Sequence, residues 1–394
     1  MGAVGALLIL AVWFAQTGLA MLAGLFLGTA GLARLWCRLS LAGVSAERRF
    51  ACRRSFPGET IECTLGLVNR KPLPLPWARV EWPLPPGIRP LTAEPDPTSP
   101  GIRRSASLFG YRRIKWAIRL SAARRGLYPV GPLSLCTGDI FGLFTRSLAT
   151  AAAEPLIVYP RIFPVDPGAI PSLHPMGDHH APRRLVQDPT CPIGVRDYQR
   201  TDNLKFIHWK ASARTRELKV KLLAATTAFQ AAVFLDVESF HAQGLLAEED
   251  FELAISAAGS IAAALAGKGS PVGLYVNTCL ADTGLPAGIA PGAGRERLTL
   301  VLETLAKVTA APSGPLAAFV EGRRSELPAG TTLVFITGRP SPVLPLFLAE
   351  LGASGFRILL ISVGDHGEIR LPDAIAWRRV CTAADLMLPA GGRP

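Results

Sequence analysis

No charged side chain occurs between Met1 and Ala33. Leu, Ile, Val, Phe and Trp recur there without a polar face, so the stretch has nothing to offer water and reads as a bilayer segment. Gln16, Thr17 and Gly18 near its middle predict a turn, and hence a transmembrane hairpin of two helices within residues 1–40. Arms of about 15 residues at 1.5 Å rise cover roughly 22 Å, against a hydrocarbon core near 30 Å. The second arm is therefore expected to run on toward Trp36 and Leu39, with Arg34 and Arg38 snorkelling to the interface. Arg48, Arg49, Arg53 and Arg54 follow, and the positive-inside rule assigns that side to the cytoplasm. The expected location is the inner (plasma) membrane, in contact with its lipids, with the soluble domains cytoplasmic. A secretory signal peptide is the competing reading; the stretch lacks a positively charged n-region, and its apolar run is about twice the usual h-region length.

The 394 residues leave room for two soluble domains beyond that segment. Residues 44–163 show short apolar runs broken by Gly and Pro. Ile61, Cys63, Leu65 and Leu67 alternate with Glu62, Thr64 and Gly66, and Ile114, Trp116, Ile118 and Leu120 alternate with Lys115, Ala117 and Arg119. These read as half-buried strands of a small antiparallel β-sandwich. Pro90 to Ser107, rich in Pro and poor in apolar residues, reads as a mobile loop. A Pro-rich connector over 164–192 leads to residues 193–390, where strands and helices alternate. Expected strands are Ala232 to Val237, Val272 to Val276, Thr332 to Thr337 and Arg357 to Val363; expected helices are Glu248 to Gly267, Arg295 to Thr309 and Val343 to Leu351. Such alternation predicts a parallel sheet with helices on both faces.

Gly194 to Lys221 reads GVRDYQRTDNLKFIHWKASARTRELKVK. With RRGLYPVGPLSLCTGDIFGLF (Arg124 to Phe144) and VYPRI (Val158 to Ile162), it resembles the signature of the bacterial membrane-anchored proteins grouped as domain of unknown function 58. The resemblance implies an α+β multidomain chain: membrane hairpin, β-sandwich, signature segment, then an α/β (Rossmann-type) domain similar to von Willebrand factor A. It also implies a protein partner, a MoxR-type AAA+ ATPase.

Von Willebrand factor A domains hold Mg²⁺ with a DxSxS motif after the first strand, a distal Thr and a later Asp. Here Asp236 is followed by Glu238 and Phe240 at the serine positions, and Arg339 stands after Thr337 and Gly338. Only a degenerate site at Asp236 and Glu238 is left, and no cofactor is expected. Within the signature, Asp202 is expected to cap a short helix through Trp209, and Leu218, Val220 and Leu222 to form a strand entering the sheet. Arg196, Lys210 and Arg214 are expected to pair with Asp197 and Asp202. Tyr198 and Ser212 complete the set, and His208 reads as a packed, hydrogen-bonded histidine.

Other motifs are weaker. His174, Asp178, His179 and His180 have ligand chemistry but no ligand spacing, and Gly267 to Ser270 reads as a helix cap rather than a phosphate loop. Seven scattered cysteines without a CxxC read as reduced, buried thiols. The net charge of +12 favours polyanions without choosing among them. The expected function is a non-enzymatic, membrane-tethered scaffold or adaptor acting in envelope or protein-complex assembly. The alternatives are a metal-dependent hydrolase using the carboxylates near Asp236, and a basic nucleic-acid-binding protein.

Overall fold

The break in the apolar stretch separates α1 (Gly2–Trp13) from α2 (Thr17–Ser40). The computed structural model describes residues 2–14, 16–91, 101–165, 187–199, 204–225, 230–242, 245–328, 330–365, 371–372 and 375–387. The two arms are unequal, and the second runs past Trp36 and Leu39 to Ser40. At 1.5 Å per residue α1 covers about 18 Å and α2 about 36 Å. Thr17 and Gly18 begin the second helix instead of forming the turn, which is made by Gln16 at φ −86°, ψ 82°. α2 is long and apolar enough to cross a bilayer. The helix over Glu248–Gly267 also meets that criterion, but it is mostly buried within its own unit.

The chain divides into two compact units, Met1–Arg161 and Ile162–Pro394. In the first, α2 is followed by β1 (Val44–Phe50), β2 (Arg54–Ser55), β3 (Thr60–Asn69), β4 (Leu75–Pro83), β5 (Ile88–Pro90), β6 (Gly101–Leu108), β7 (Arg113–Ala122), β8 (Gly126–Val130), β9 (Leu133–Gly138), β10 (Thr145–Ala151) and β11 (Glu154–Val158). Antiparallel sheets in the orders β1-β3-β7-β5 and β10-β9-β4-β6 share one core, which includes Leu65, Leu67, Val80, Trp82, Leu120 and Leu135; a smaller sheet runs β2-β11-β8. The predicted alternation holds, since Ile61, Cys63, Leu65 and Leu67 are all buried.

Two expectations are corrected here. The loop predicted for Pro90 to Ser107 is partly strand: in β6, Ile102 and Leu108 are buried while Arg103, Ser105 and Ser107 are exposed. A sheet-edge strand with one solvated face needs few apolar residues, which is why composition hid it. Residues 92–100 of that loop lie outside the described residues. Arg48, counted among the basic cluster after the membrane segment, is buried in the sandwich. Its guanidinium lies 5.3 Å from the ring centroids of both Phe50 and Trp82, and Nη2 donates to the Ala152 carbonyl at 3.2 Å. Gly131 leaves room for it, because a Cβ there would stand 2.6 Å from Nη1. Burial pushes this guanidinium below its ordinary pKa, with Glu154 opposing.

The second unit contains β12 (Gln187–Asp197), α3 (Trp209–Thr215), β13 (Lys219–Ala225), β14 (Ala231–Leu235), β15 (His241–Ala242), β16 (Leu245–Leu246), α4 (Glu248–Gly267), β17 (Val272–Leu280), β18 (Pro286–Gly292), α5 (Arg295–Lys307), β19 (Val308–Pro312), α6 (Leu316–Arg323), β20 (Thr332–Thr337), α7 (Leu344–Ala353), β21 (Arg357–Val363), β22 (Ala376–Val380) and α8 (Ala383–Met387). β17, β14, β20, β21 and β22 are parallel neighbours in that order, with β18 and β19 antiparallel to β17. Val233 and Leu235 of β14 pack with α4 and α5. Ala232 and Phe234 pack with α6 and α7 on the other face. Burial on both faces explains why these strands are continuous apolar runs.

Among the described residues β13 does not enter that sheet; it pairs antiparallel with β12 and bridges Ile207 through Val220. Its alternating Lys219 and Lys221 give it a charged side, unsuited to a sheet covered on both faces. β12 also takes up the end of the expected connector, while residues 166–186, with His174, Asp178, His179 and His180, lie outside the described residues. Gly269, at φ +74°, and Ser270 close the end of α4, with Ser270 N donating to the Leu265 carbonyl at 3.1 Å, so this segment caps a helix. The thiols are less uniformly buried than expected: Cys37 and Cys63 are buried, whereas Cys52 and Cys381 are exposed.

Candidate functional site

The signature segment folds as a ribbon carrying a short helix. β12 and β13 pair Arg196 with Val220 and Asp197 with Lys219. Between them the chain makes a 3₁₀ turn over Leu204–Phe206 and then α3. His208 starts that helix: its Nδ1 accepts the Ala211 N–H at 3.1 Å, and its own N–H donates to the Lys219 carbonyl at 2.8 Å. The helix therefore begins later than a cap at Asp202 would place it, and Asp202 itself lies outside the described residues. Ser212, buried, accepts the Lys219 N–H at 2.8 Å and donates to the His208 carbonyl at 3.1 Å. One hydroxyl thus ties α3 to β13. Arg216, at φ 61°, ends the helix with its N–H on the Ser212 carbonyl.

Of the two expected acidic partners, Asp202 lies outside the described residues, and Asp197 is engaged by a base outside the expected set. Asp197 pairs with Lys219, and this bond holds the Lys219 ammonium above its ordinary pKa. Arg196 Nη1 donates to the Asp197 carbonyl at 3.0 Å. Lys210 and Arg214 are exposed on α3 and make no ion pair with a described residue. They are four apart and so neighbours on the helix surface. Beside them Trp209 is 70 % exposed, and Leu204 64 %. Tyr198 is half-buried, with its N–H on the Leu218 carbonyl at 2.9 Å. His208 and Ser212 hold the fold locally, while Trp209, Lys210 and Arg214 face outward. Ser212→Ala is expected to cost about 1–2 kcal/mol by orphaning the Lys219 N–H, read as a lower urea midpoint with faster proteolysis at α3.

A second constellation lies at the carboxyl edge of the parallel sheet. β14 has β17 on one side and β20 on the other, the switch point at which open α/β sheets form a crevice. Each strand contributes a polar group. Asp236, directly after β14, accepts from Asn277 Nδ2 of β17 at 2.9 Å and from Thr337 Oγ1 of β20 at 3.4 Å. Asn277 Oδ1 accepts the Val237 N–H at 2.6 Å, and its Nδ2 also donates to the Gly314 carbonyl at 3.1 Å. Ser239 Oγ donates to the Asp236 carbonyl at 2.7 Å and accepts the Gly338 N–H at 2.7 Å. Burial, the largest influence, pushes the Asp236 carboxyl above its ordinary pKa; the Asn277 and Thr337 bonds oppose it and the Glu238 charge adds to it. Sequence reasoning singled out Asp236 and missed Asn277 and Ser239.

This set does not fit a hard divalent cation of the von Willebrand factor A kind. Phe240, at the second serine position, is buried in the core against Phe251, and Glu238 is exposed. The Ser239 hydroxyl already makes its two bonds within the turn. Among the described residues no three His, Cys, Asp or Glu side chains converge.

Residues 194–376 match the family described as protein of unknown function DUF58. The match runs from Gly194, within β12, through α3 and β13 to the first residue of β22. Over most of its length the chain is similar to the uncharacterized protein YeaD of Bacillus subtilis, with 23% identity covering 92% of this chain and 86% of that protein. It is also similar to the uncharacterized protein Rv1480 of Mycobacterium tuberculosis, with 27% identity covering 50% of this chain and 61% of that protein. Among solved structures, the CARDB domain of the PF1109 protein from Pyrococcus furiosus is similar over 29% of this chain and 91% of that one, at 9% identity and a TM-score of 0.22. The DUF58 match takes in both constellations, the outward face of α3 and the edge at Asp236.

Proposed function

We propose that this chain is a membrane-tethered adaptor: α2 anchors it, and the DUF58 region, folded like a von Willebrand factor A domain, presents a docking face to a protein partner. The observation that carries this reading is the rigid display of Trp209. An indole exposed to 70 % stands on a helix whose backbone is fixed by the His208, Ser212 and Lys219 bonds, which preorganises its point of attachment for contact, and Trp is enriched at the centres of protein interfaces. Lys210 and Arg214 repel one another by a few tenths of a kcal/mol at this spacing, a cost that an acidic partner surface removes. The partner implied by the resemblance is a MoxR-type AAA+ ATPase, with the soluble units on the cytoplasmic side. An enzyme built on Asp236 is a poorer reading, because both carboxylate oxygens are engaged by side-chain donors of the same unit.

The test is co-purification from membranes of the full chain and its Trp209→Ala variant with the MoxR-type ATPase of the same cell. Trp209→Ala should leave the urea midpoint within about 0.5 kcal/mol of wild type, as an exposed substitution, and should lose the ATPase. Equal recovery by both chains would remove α3 from the interface. No recovery by the wild type would remove this partner.

A further inference from the structure

The two ends of the β-sandwich differ in chemistry. Register places Val44 beside Asn69, Val68 beside Arg113, Leu75 beside Leu108 and Gly138 beside Thr145, so these strand termini lie at the end where α2 arrives. The junction is braced. Lys71 Nζ donates to the Leu39 and Ser40 carbonyls at the close of α2, and Arg146 Nη1 donates to the Arg38 carbonyl at 3.2 Å.

Two turns at this end expose large apolar side chains. After β6, Phe109 and Tyr111 are 76 % and 71 % exposed. Their turn is fixed by Asn69 Nδ2 on the Phe109 carbonyl at 3.2 Å and by the Tyr111 N–H on the Lys71 carbonyl at 3.1 Å. After β9, Ile140, Phe141 and Leu143 are 64 %, 66 % and 51 % exposed. There the buried Asp139 carboxylate accepts the N–H groups of Phe141, Leu143 and Phe144 at 3.0, 3.3 and 2.6 Å, holding the backbone inward and the apolar side chains outward. At the far end, among the described residues, the turns over 56–59 and 123–125 expose no large apolar side chain.

A patch of this kind in water is costly and marks a surface with a partner. Its position names the partner. Both turns adjoin the last turns of α2, and Arg34 lies about 6 Å along the helix from Arg38, where a spanning helix passes through the headgroups. Arg70, Arg112, Arg113 and Arg146 are exposed around the same end, and such residues are attracted to anionic lipid. We propose that the Phe109–Tyr111 and Ile140–Leu143 turns insert into the headgroup–acyl boundary of an anionic bilayer beside α2, seating the sandwich on the lipid surface. This rests on the reading of α2 as the anchor.

The test uses the full chain in vesicles of phosphatidylcholine with about one-quarter phosphatidylglycerol, doped with a phospholipid carrying a photoactivatable diazirine near the top of its acyl chain. After illumination, labelled peptides are mapped by mass spectrometry. The expected result is labelling of α2 and of both turns, the turns roughly tenfold above the 56–59 turn at the far end, as interfacial burial requires. A Phe141→Asp, Leu143→Asp double variant, altered only at exposed positions, should lose labelling of its own turn while α2 keeps its own. Labelled α2 with both turns at the level of the far end would overturn the seating and leave the anchor standing. Unlabelled α2 would overturn the anchor and the seating together. Unchanged turn labelling in the double variant would also overturn the seating.

Discussion

Arg48→Ala is expected to cost about 2–5 kcal/mol of sandwich stability, the range for truncating a large buried side chain. The guanidinium lies against both Phe50 and Trp82, which meet edge to face, and its Nη2 lies 3.9 Å from a Glu154 carboxylate oxygen. Truncation opens a void against Trp82 and leaves the Ala152 carbonyl without its Arg48 donor. Glu154 keeps the Arg53 contact at 3.0 Å, so the carboxylate is not abandoned. Arg48→Met should therefore recover most of the loss, because it refills the space beside the two rings without a charge to desolvate. Urea unfolding of the three full-length chains in detergent, followed by Trp fluorescence, checks this. Equal losses in the Ala and Met variants would show that the charge, not the packing, is what matters at this position.

Asn277→Ala is expected to cost a similar amount, about 3–5 kcal/mol, because it orphans the Val237 N–H and removes a donor from a buried carboxylate. Its companion, Asp236→Asn, separates charge from shape. The folded Asp236 carboxyl is raised above its ordinary value, so the native state binds the extra proton more tightly than the unfolded chain. The stabilising contribution is fully present below the unfolded value near 4 and is lost as pH rises through the folded value. Wild-type stability should fall across that window. The fall should be absent in Asp236→Asn and larger in Asn277→Ala, which lacks one of the bonds that lower the pKa. Urea midpoints measured from about pH 4 to pH 8 provide the comparison, and parallel curves for wild type and Asp236→Asn would exclude Asp236 as their source.

What could be read in the sequence tracks burial symmetry. β20 and β21 match their expected bounds to the residue, because a strand covered on both faces must be apolar throughout and its ends are marked by polar residues. β18 was missed: Pro286–Gly292 contains two prolines and two glycines, tolerable only at an edge and indistinguishable from a loop in composition. The candidate sites divide in the same way. Asp236 was visible as the first charged residue after an apolar run, whereas Asn277 sits inside one, VGLYVNTCL. An amide among buried β-formers is itself a signal, since Asn is depleted in strands and must find partners when buried. In the signature, the charged residues draw the eye, whereas the hydroxyl of Ser212 and the ring of His208 are what fasten α3 among the described residues. Which of several nearby charges pairs with Asp197 depends on strand register, and spacing alone does not give that.

Only Leu41, Ala42 and Gly43 separate the end of α2 from β1, and Lys71 and Arg146 span the same joint. At the opposite end of the sandwich the chain departs after β11, where the Tyr159 N–H bonds the Ser55 carbonyl at 2.9 Å. Between these two points lies roughly the length of a ten-residue strand, about 33 Å, with no compliant linker. A pull or twist applied at Tyr159 would therefore reach α2 as torque on a stiff post, whereas a slack tether would absorb it.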